Sequence, residues 1–180
     1  YMAALLQSVK DEKDKSAVYL AECRRMGIKV LPPDVNESDG MYTAVGTDIR
    51  FGLGAIRNVG ANVVQAIVAA RDSHGPVADF HEFLDIVPLV VCNKRVIESL
   101  IKAAAFDSLG HLRRARREVS ENAVDQVGEI KRNEERGQDS LLGGFGLDAD
   151  GQNGHEPIPA VDDWDKRTRL AFEREMLGLY

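Results

Sequence analysis

The sequence predicts a mainly α fold with one small β-hairpin. Three observations carry this: apolar residues recur at helical spacing in most segments, a helix–glycine turn–helix pattern occurs twice, and only one pair of short runs is β-prone. MAALLQSV at the start reads as the inside of an amphipathic helix. Val18, Leu20, Ala21, Cys23 and Met26 form the face of a second helix over 15–26, which Gly27 stops. IKVLPPDVNES then favours an extended run and a turn, because the residue before a proline is pushed out of the helical region. MYTAV and DIRFGL, separated by Gly46-Thr47, form the hairpin, and packing on neighbours must stabilise so small a sheet.

Two helical units follow, over 61–71 and 93–106, with Val63, Val64, Ile67 and Val68 on one face and Val96, Ile97, Leu100 and Ile101 on the other. Phe80, Phe83 and Leu84 predict a short helix between them, started by Asp79. From 112 to 136 the sequence is mostly charged, and sparse Val119, Val124, Val127 and Ile130 predict an exposed helix resting on the body along a narrow stripe. GGFGLDADGQNGHEPIPA has the composition of a flexible linker, and a last helix begins near Trp164-Asp165.

With 180 residues and 44% hydrophobic content, the chain can build a core of one or two small domains. No apolar run is long enough to cross a membrane and the first residues lack the marks of a signal peptide, so a cytoplasmic setting is expected. Cys23 and Cys92 have no zinc-site spacing with the histidines. The net charge of −6 excludes binding to nucleic acid by overall attraction, so phosphate contacts must come from local patches. Lys94, Arg95, Lys102, Arg113, Arg114, Arg116 and Arg117 supply them.

GLGAIRNVGANVVQAIVAAR and VIESLIKAAAFDSLGHLRRA share the helix–turn–helix pattern, with Gly60 preceded by Val59 and Gly110 preceded by Leu109. A glycine there allows close approach of another surface, and the free N–H groups opening the next helix suit an anion. One helix end contributes on the order of 0.3–1 kcal/mol toward a negative group, so paired hairpins with arginines nearby are the least that would grip phosphates. Two ordinary turns of an all-α domain satisfy the same spacing. Gly52-x-Gly54 followed by Arg57 is not a dinucleotide loop, and no Gly-Lys-Ser/Thr exists for a P-loop. Asp162 and Asp163 suit helix capping better than metal binding, and the four histidines lie in separate polar contexts. No catalytic and no metal-ligating residue is assigned.

GQDSLLGGF stands between a charged segment and the glycine-rich linker, which suits a docking peptide with Gln138 in front and Leu141-Leu142 behind. Burying two leucines gives roughly 3–6 kcal/mol, against about 5–10 kcal/mol for ordering five backbone residues. Such a peptide needs further hydrogen bonds or a second tether to the same target. A loop whose leucines fold back on the charged helix is the other reading.

YMAALL, YLAECRRMGIKVLPPDVNES, IRFGLGAIRNVG, NKRVIESLIKAAAFDSLG, GQDSLLGGF and Trp164 through EREMLGLY stand in the order and spacing of a known family. By these blocks, spread over nearly the whole chain, the sequence resembles the α subunit of bacterial DNA polymerase III, the replicative C-family DNA polymerase, and in detail the main replicative enzyme of actinobacteria. The resemblance implies a slice of that polymerase. Residues 1–40 would be the end of the fingers domain and 41–117 a tandem helix-hairpin-helix unit holding duplex DNA. Residues 118–145 would be a charged helix with a sliding-clamp motif, and 146–180 a linker and helix leading to an OB-fold.

It further implies DNA contacts at Arg57, Asn58, Val59, Gly60, Asn62, Ser108, Leu109, Gly110, His111, Arg113, Arg114, Arg116 and Arg117. Gln138, Asp139, Ser140, Leu141 and Leu142 would bind the ring-shaped β sliding clamp. Ala104 stands where the family's AGAFD block has glycine, which puts the second hairpin's backbone freedom in question. The metal-binding aspartates of the palm would lie before residue 1, so no cofactor is expected here, although Mg²⁺ serves the parent polymerase. Expected partners are primed double-stranded DNA, the clamp and, through other regions, further replisome subunits in the nucleoid. The alternatives are the matching region of an error-prone C-family polymerase and a helix-hairpin-helix DNA repair module, the latter including an autonomous nuclease or lyase.

Overall fold

The computed structural model describes residues 1–137 and 156–178. Among the described residues there are seven α-helices and one three-stranded sheet, so the mainly α expectation holds. Helices α1 (Met2–Ser8) and α2 (Lys13–Arg25) come first, and α2 stops at Gly27, whose φ of +74° suits a residue without Cβ. Strand β1 (Val30–Leu31) is the predicted extended run. Strands β2 (Thr43–Val45) and β3 (Asp48–Arg50) pair antiparallel across Gly46-Thr47, with Val45 opposite Asp48, as the two-residue turn requires. The strand order is β1-β3-β2, with β1 parallel to β3.

The segment between β1 and β2 ties distant elements together. Asp34 N–H donates to the Ser38 hydroxyl, which donates in turn to the Phe51 carbonyl. Val35 N–H donates to the Ala105 carbonyl, and the Asn36 side chain exchanges two hydrogen bonds with the Val77 backbone at 2.9 and 3.0 Å. Arg71 donates to the Val35 and Ser38 carbonyls. These bonds satisfy polar groups that the core would otherwise strand.

Helix α3 (Ala61–His74) leads to α4 (Phe80–Ile86), where Asp79 accepts from Glu82 N–H as the expected cap. Helix α5 (Lys94–Lys102) is capped by Asn93 and is shorter than the run to 106 that its pattern predicts. It ends because Ala104 takes φ +70° and Ala105 N–H closes back on the Leu100 carbonyl. Phe106, released from the helix, packs edge-on against Phe80 and Phe83 at 5.2 and 4.9 Å between centroids.

Helix α6 (Arg113–Glu135) departs from the exposed rod resting on a narrow stripe. Ala115, Arg116, Val119, Ser120, Ala123, Val124, Val127 and Gly128 are all buried, whereas the expected Ile130 is 56% exposed. In that last stretch Lys131, four residues after Val127 and so on the same face, meets the body instead and donates to the Asp85 and Val87 carbonyls. Helix α7 (Lys166–Leu177) begins at Asp165, which accepts from Thr168 N–H. The cap is therefore Asp165, not the Asp162-Asp163 pair, whose Asp163 is used elsewhere. No helix among the described residues is long and apolar enough to cross a membrane.

Candidate nucleic-acid interface

Each hairpin turn buries its apolar residue and exposes its glycine. Val59 and Leu109 are buried in the common core, while Gly60 and Gly110 face solvent. The two turns differ in what leads into them and in what meets the helix start that follows. The first is led by a single 3-10 turn over Leu53–Ala55, not by the predicted helix. Gly52 and Gly54 lie so close to the Gly40-Met41 backbone that a Cβ on either would come within 2.6–2.8 Å of main-chain atoms. Leu53 N–H and Gly54 N–H donate to the Asp39 and Gly40 carbonyls, which holds this stretch as a turn. The glycines of GLG thus serve packing within the chain.

Asn58 takes φ +67° and its amide donates to the Ser99 hydroxyl, fixing the first turn on α5. Arg57 N–H donates to the Met176 carbonyl, fixing it on α7. Gly60 has φ −77°, so it is in no left-handed conformation, and a Cβ there would meet nothing within 4 Å. Its role is to leave the start of α3 bare: no side chain caps that helix, and Arg57, Gly60 and Asn62 are exposed around it. A bare helix start attracts an anion because its first N–H groups have no partner and the peptide dipoles add there.

The second turn is filled from within. Gly110 has φ +95°, a genuine glycine conformation. At the start of α6, Arg114 N–H donates to an Asp163 carboxylate oxygen at 3.3 Å, so a carboxylate of the chain itself occupies this helix start. Ser108, His111 and Arg114 remain exposed, with Arg114 paired to Glu118 at 3.2 Å.

The arginine run does not form the solvent-facing cationic patch expected of it. Arg113 is 8% exposed, donates to both Asp107 carboxylate oxygens, and also pairs with Glu173 of α7 at 2.7 Å. Arg116 is fully buried, with Asp107 3.8 Å away as its acidic neighbour. Arg117 pairs with Glu98 and Glu121 at 3.2 and 3.1 Å. Burial opposes the charge on Arg113, but hydrogen bonds and attraction from Asp107 and Glu173 outweigh it and raise its pKa. At Arg116 burial prevails and holds the pKa below the usual arginine range. Arg113 thus lies in an internal clasp joining α6, the second turn and α7, and the buried Arg116 guanidinium beside it makes no hydrogen bond among the described residues. Position on an amphipathic helix could have flagged Arg116, which lies three and seven residues before buried Val119 and Ala123. Its partner Asp107 was not legible from spacing.

The candidate clamp residues Gln138, Asp139, Ser140, Leu141 and Leu142 lie outside the described residues. Among the described residues no group of three or more His, Cys, Asp or Glu could hold a metal ion.

A helix-hairpin-helix motif family matches residues 27–116, the span from the end of α2 to the clasp. The α subunit of DNA polymerase III from Saccharopolyspora erythraea is 56% identical over 184 residues, and that from Mycobacterium tuberculosis 52% over 184 residues. The subunit from Thermus aquaticus is 39% identical over 181 residues. Each alignment covers 100% of this chain, which spans 15, 15 and 14% of the length of these three relatives.

Proposed function

Since this chain belongs to the DNA polymerase III α-subunit family and carries its helix-hairpin-helix motif, we propose that it holds duplex DNA by the phosphate backbone and ties the polymerase to the sliding clamp. The observation that carries the DNA reading is the bare start of α3, exposed beside Arg57 and Asn62 with no side chain capping it. Main-chain N–H groups and an arginine at a helix start contact phosphate without reading bases, so binding is independent of sequence and steeply dependent on salt. The second turn contributes through Ser108, Gly110 and His111, with Val59 and Leu109 supporting the two turns from below. The clamp reading rests on the GQDSLL match, with Gln138, Leu141 and Leu142 in the three anchoring places.

The test for DNA is fluorescence anisotropy of the chain with labelled duplexes of unrelated sequence at several salt concentrations. Gly60→Asp, which puts a carboxylate at the start of α3, is expected to lower affinity for all duplexes alike. Equal affinity in that variant overturns the reading. For the clamp, Leu141→Ala with Leu142→Ala abolishes binding to the purified ring while the circular dichroism stays that of the parent chain; unchanged calorimetric affinity refutes the docking role.

A further inference from the structure

Two exposed arginines from different elements, Arg57 and Arg95, meet at the first hairpin. A cleft of about 230 Å³ runs between the first turn, α5 and α7, and Arg57, Asn58, Arg95, Glu98, Lys102 and Glu175 line it. Arg57 from the turn and Arg95 from α5 are both exposed, and neither has an acidic partner within 4.0 Å among the described residues. The other lining charges are largely spent. Glu98 is shared between Lys102 and Arg117, each at 3.2 Å, and the Lys102 ammonium also lies 4.8 Å from the centre of the Phe172 ring. The remaining acid is Glu175 on α7, exposed and without an ion pair among the described residues.

Two unpaired guanidiniums on one cleft suit a tetrahedral anion, because each presents a planar fork of N–H donors to separate oxygens. The floor is rigid: Asn58 is hydrogen-bonded to Ser99 and the Arg57 backbone to Met176. Building on the DNA reading above, we propose that Arg95 joins Arg57 in seating one backbone phosphodiester of the duplex in this cleft. Helix α5 is then the cationic partner of the first hairpin, a part that the arginine run of α6 cannot play. Glu175 opposes the bound phosphate and sets an upper limit on its affinity.

The experiment titrates the 180-residue chain and its variants with a labelled duplex of ~20 base pairs while KCl is varied from about 50 to 200 mM. Arg95→Ala weakens binding roughly five- to tenfold and lowers the slope of log affinity against log salt by about 0.9, one phosphate's worth. Glu175→Gln strengthens binding, because it removes the carboxylate that faces the phosphate. If Arg57→Ala weakens binding while Arg95→Ala matches the parent in affinity and slope, the cleft proposal is overturned and the DNA reading stands. If the parent chain binds no duplex, both fail. A parallel titration with inorganic phosphate, followed by NMR at the arginine Nε–H groups, separates one further case: shifts at Arg57 and Arg95 without duplex binding mean a seat for free phosphate, which refutes the phosphodiester assignment.

Discussion

Replacing Asp107 by Asn is expected to loosen the clasp that fixes the second turn to α6 and α7. Asp107 accepts three hydrogen bonds from Arg113, at 3.0, 3.0 and 2.7 Å, and is the acidic neighbour of Arg116 at 3.8 Å. Removing one partner of a buried pair costs about 3–5 kcal/mol because the other charge stays buried. Arg113 and Arg116 side chains are 10% and 0% exposed, but the Asp107 side chain is 42% exposed and water screens it. Discounted for that screening, the expected loss is about 2–3 kcal/mol. Glu173→Gln removes only one of the acids facing Arg113 and leaves Asp107 in place, so it costs less, about 1–2 kcal/mol. The assay is urea unfolding at neutral pH, read by far-UV circular dichroism and by the fluorescence of Trp164, whose ring packs on Phe172 of α7 at 4.7 Å. The clasp argument is refuted if Asp107→Asn costs less than Glu173→Gln, or under about 0.5 kcal/mol, the range of an ordinary surface change.

Four further outcomes follow from the same geometry. Gly52→Ala, whose Cβ would meet main-chain atoms of Gly40 and Met41, is expected to lose about 1–3 kcal/mol in urea unfolding. Gly60→Ala, in open space at φ −77°, is expected to stay within about 1 kcal/mol of the parent in the same assay. Gly110→Ala, at φ +95°, costs about 1–3 kcal/mol and lowers the melting temperature accordingly. Glu98 is partly buried, which alone would raise its pKa, but Lys102 and Arg117 outweigh this and hold it below the usual carboxylate value. Its folded pKa lies under its unfolded one, so its contribution is present at neutral pH and lost as pH falls through the carboxylate range. Glu98→Gln is expected to be less stable than the parent at pH 7, with the gap closing in acid; a gap independent of pH contradicts this.

Local signals made most of the body legible. Gly27 ends α2, Gly46-Thr47 turns the hairpin, and Asp79 and Asn93 cap α4 and α5, because each acts on residues within one turn of itself. The misread parts depend on partners far along the chain. Charge density made α6 look solvated, yet Asp107 and Glu173 come from two other elements to neutralise Arg113. Asp163, read as a cap for the helix after it, serves the start of α6 instead. Ala104 is an instructive middle case: its resemblance to a glycine position flagged the need for backbone freedom, and the chain meets that need with φ +70° on an alanine. At the candidate interface the exposure of Arg57 and Gly60 was foreseeable, whereas the convergence of Arg57 and Arg95 on one cleft required the fold.

The seam between β1 and the hairpin bears on how this piece can be handled and how it can move. Ile49 and Phe51 donate to the Lys29 and Leu31 carbonyls, and Asp34 to Ser38 knots the same region to the sheet and to Ala105. A cut at residue 40 would strip β3 of one neighbour and leave an open ribbon edge inviting self-association. Mechanically, these bonds couple residues 29–38 to the first hairpin through Phe51 and to the second through Ala105, so the two turns share one anchoring strap.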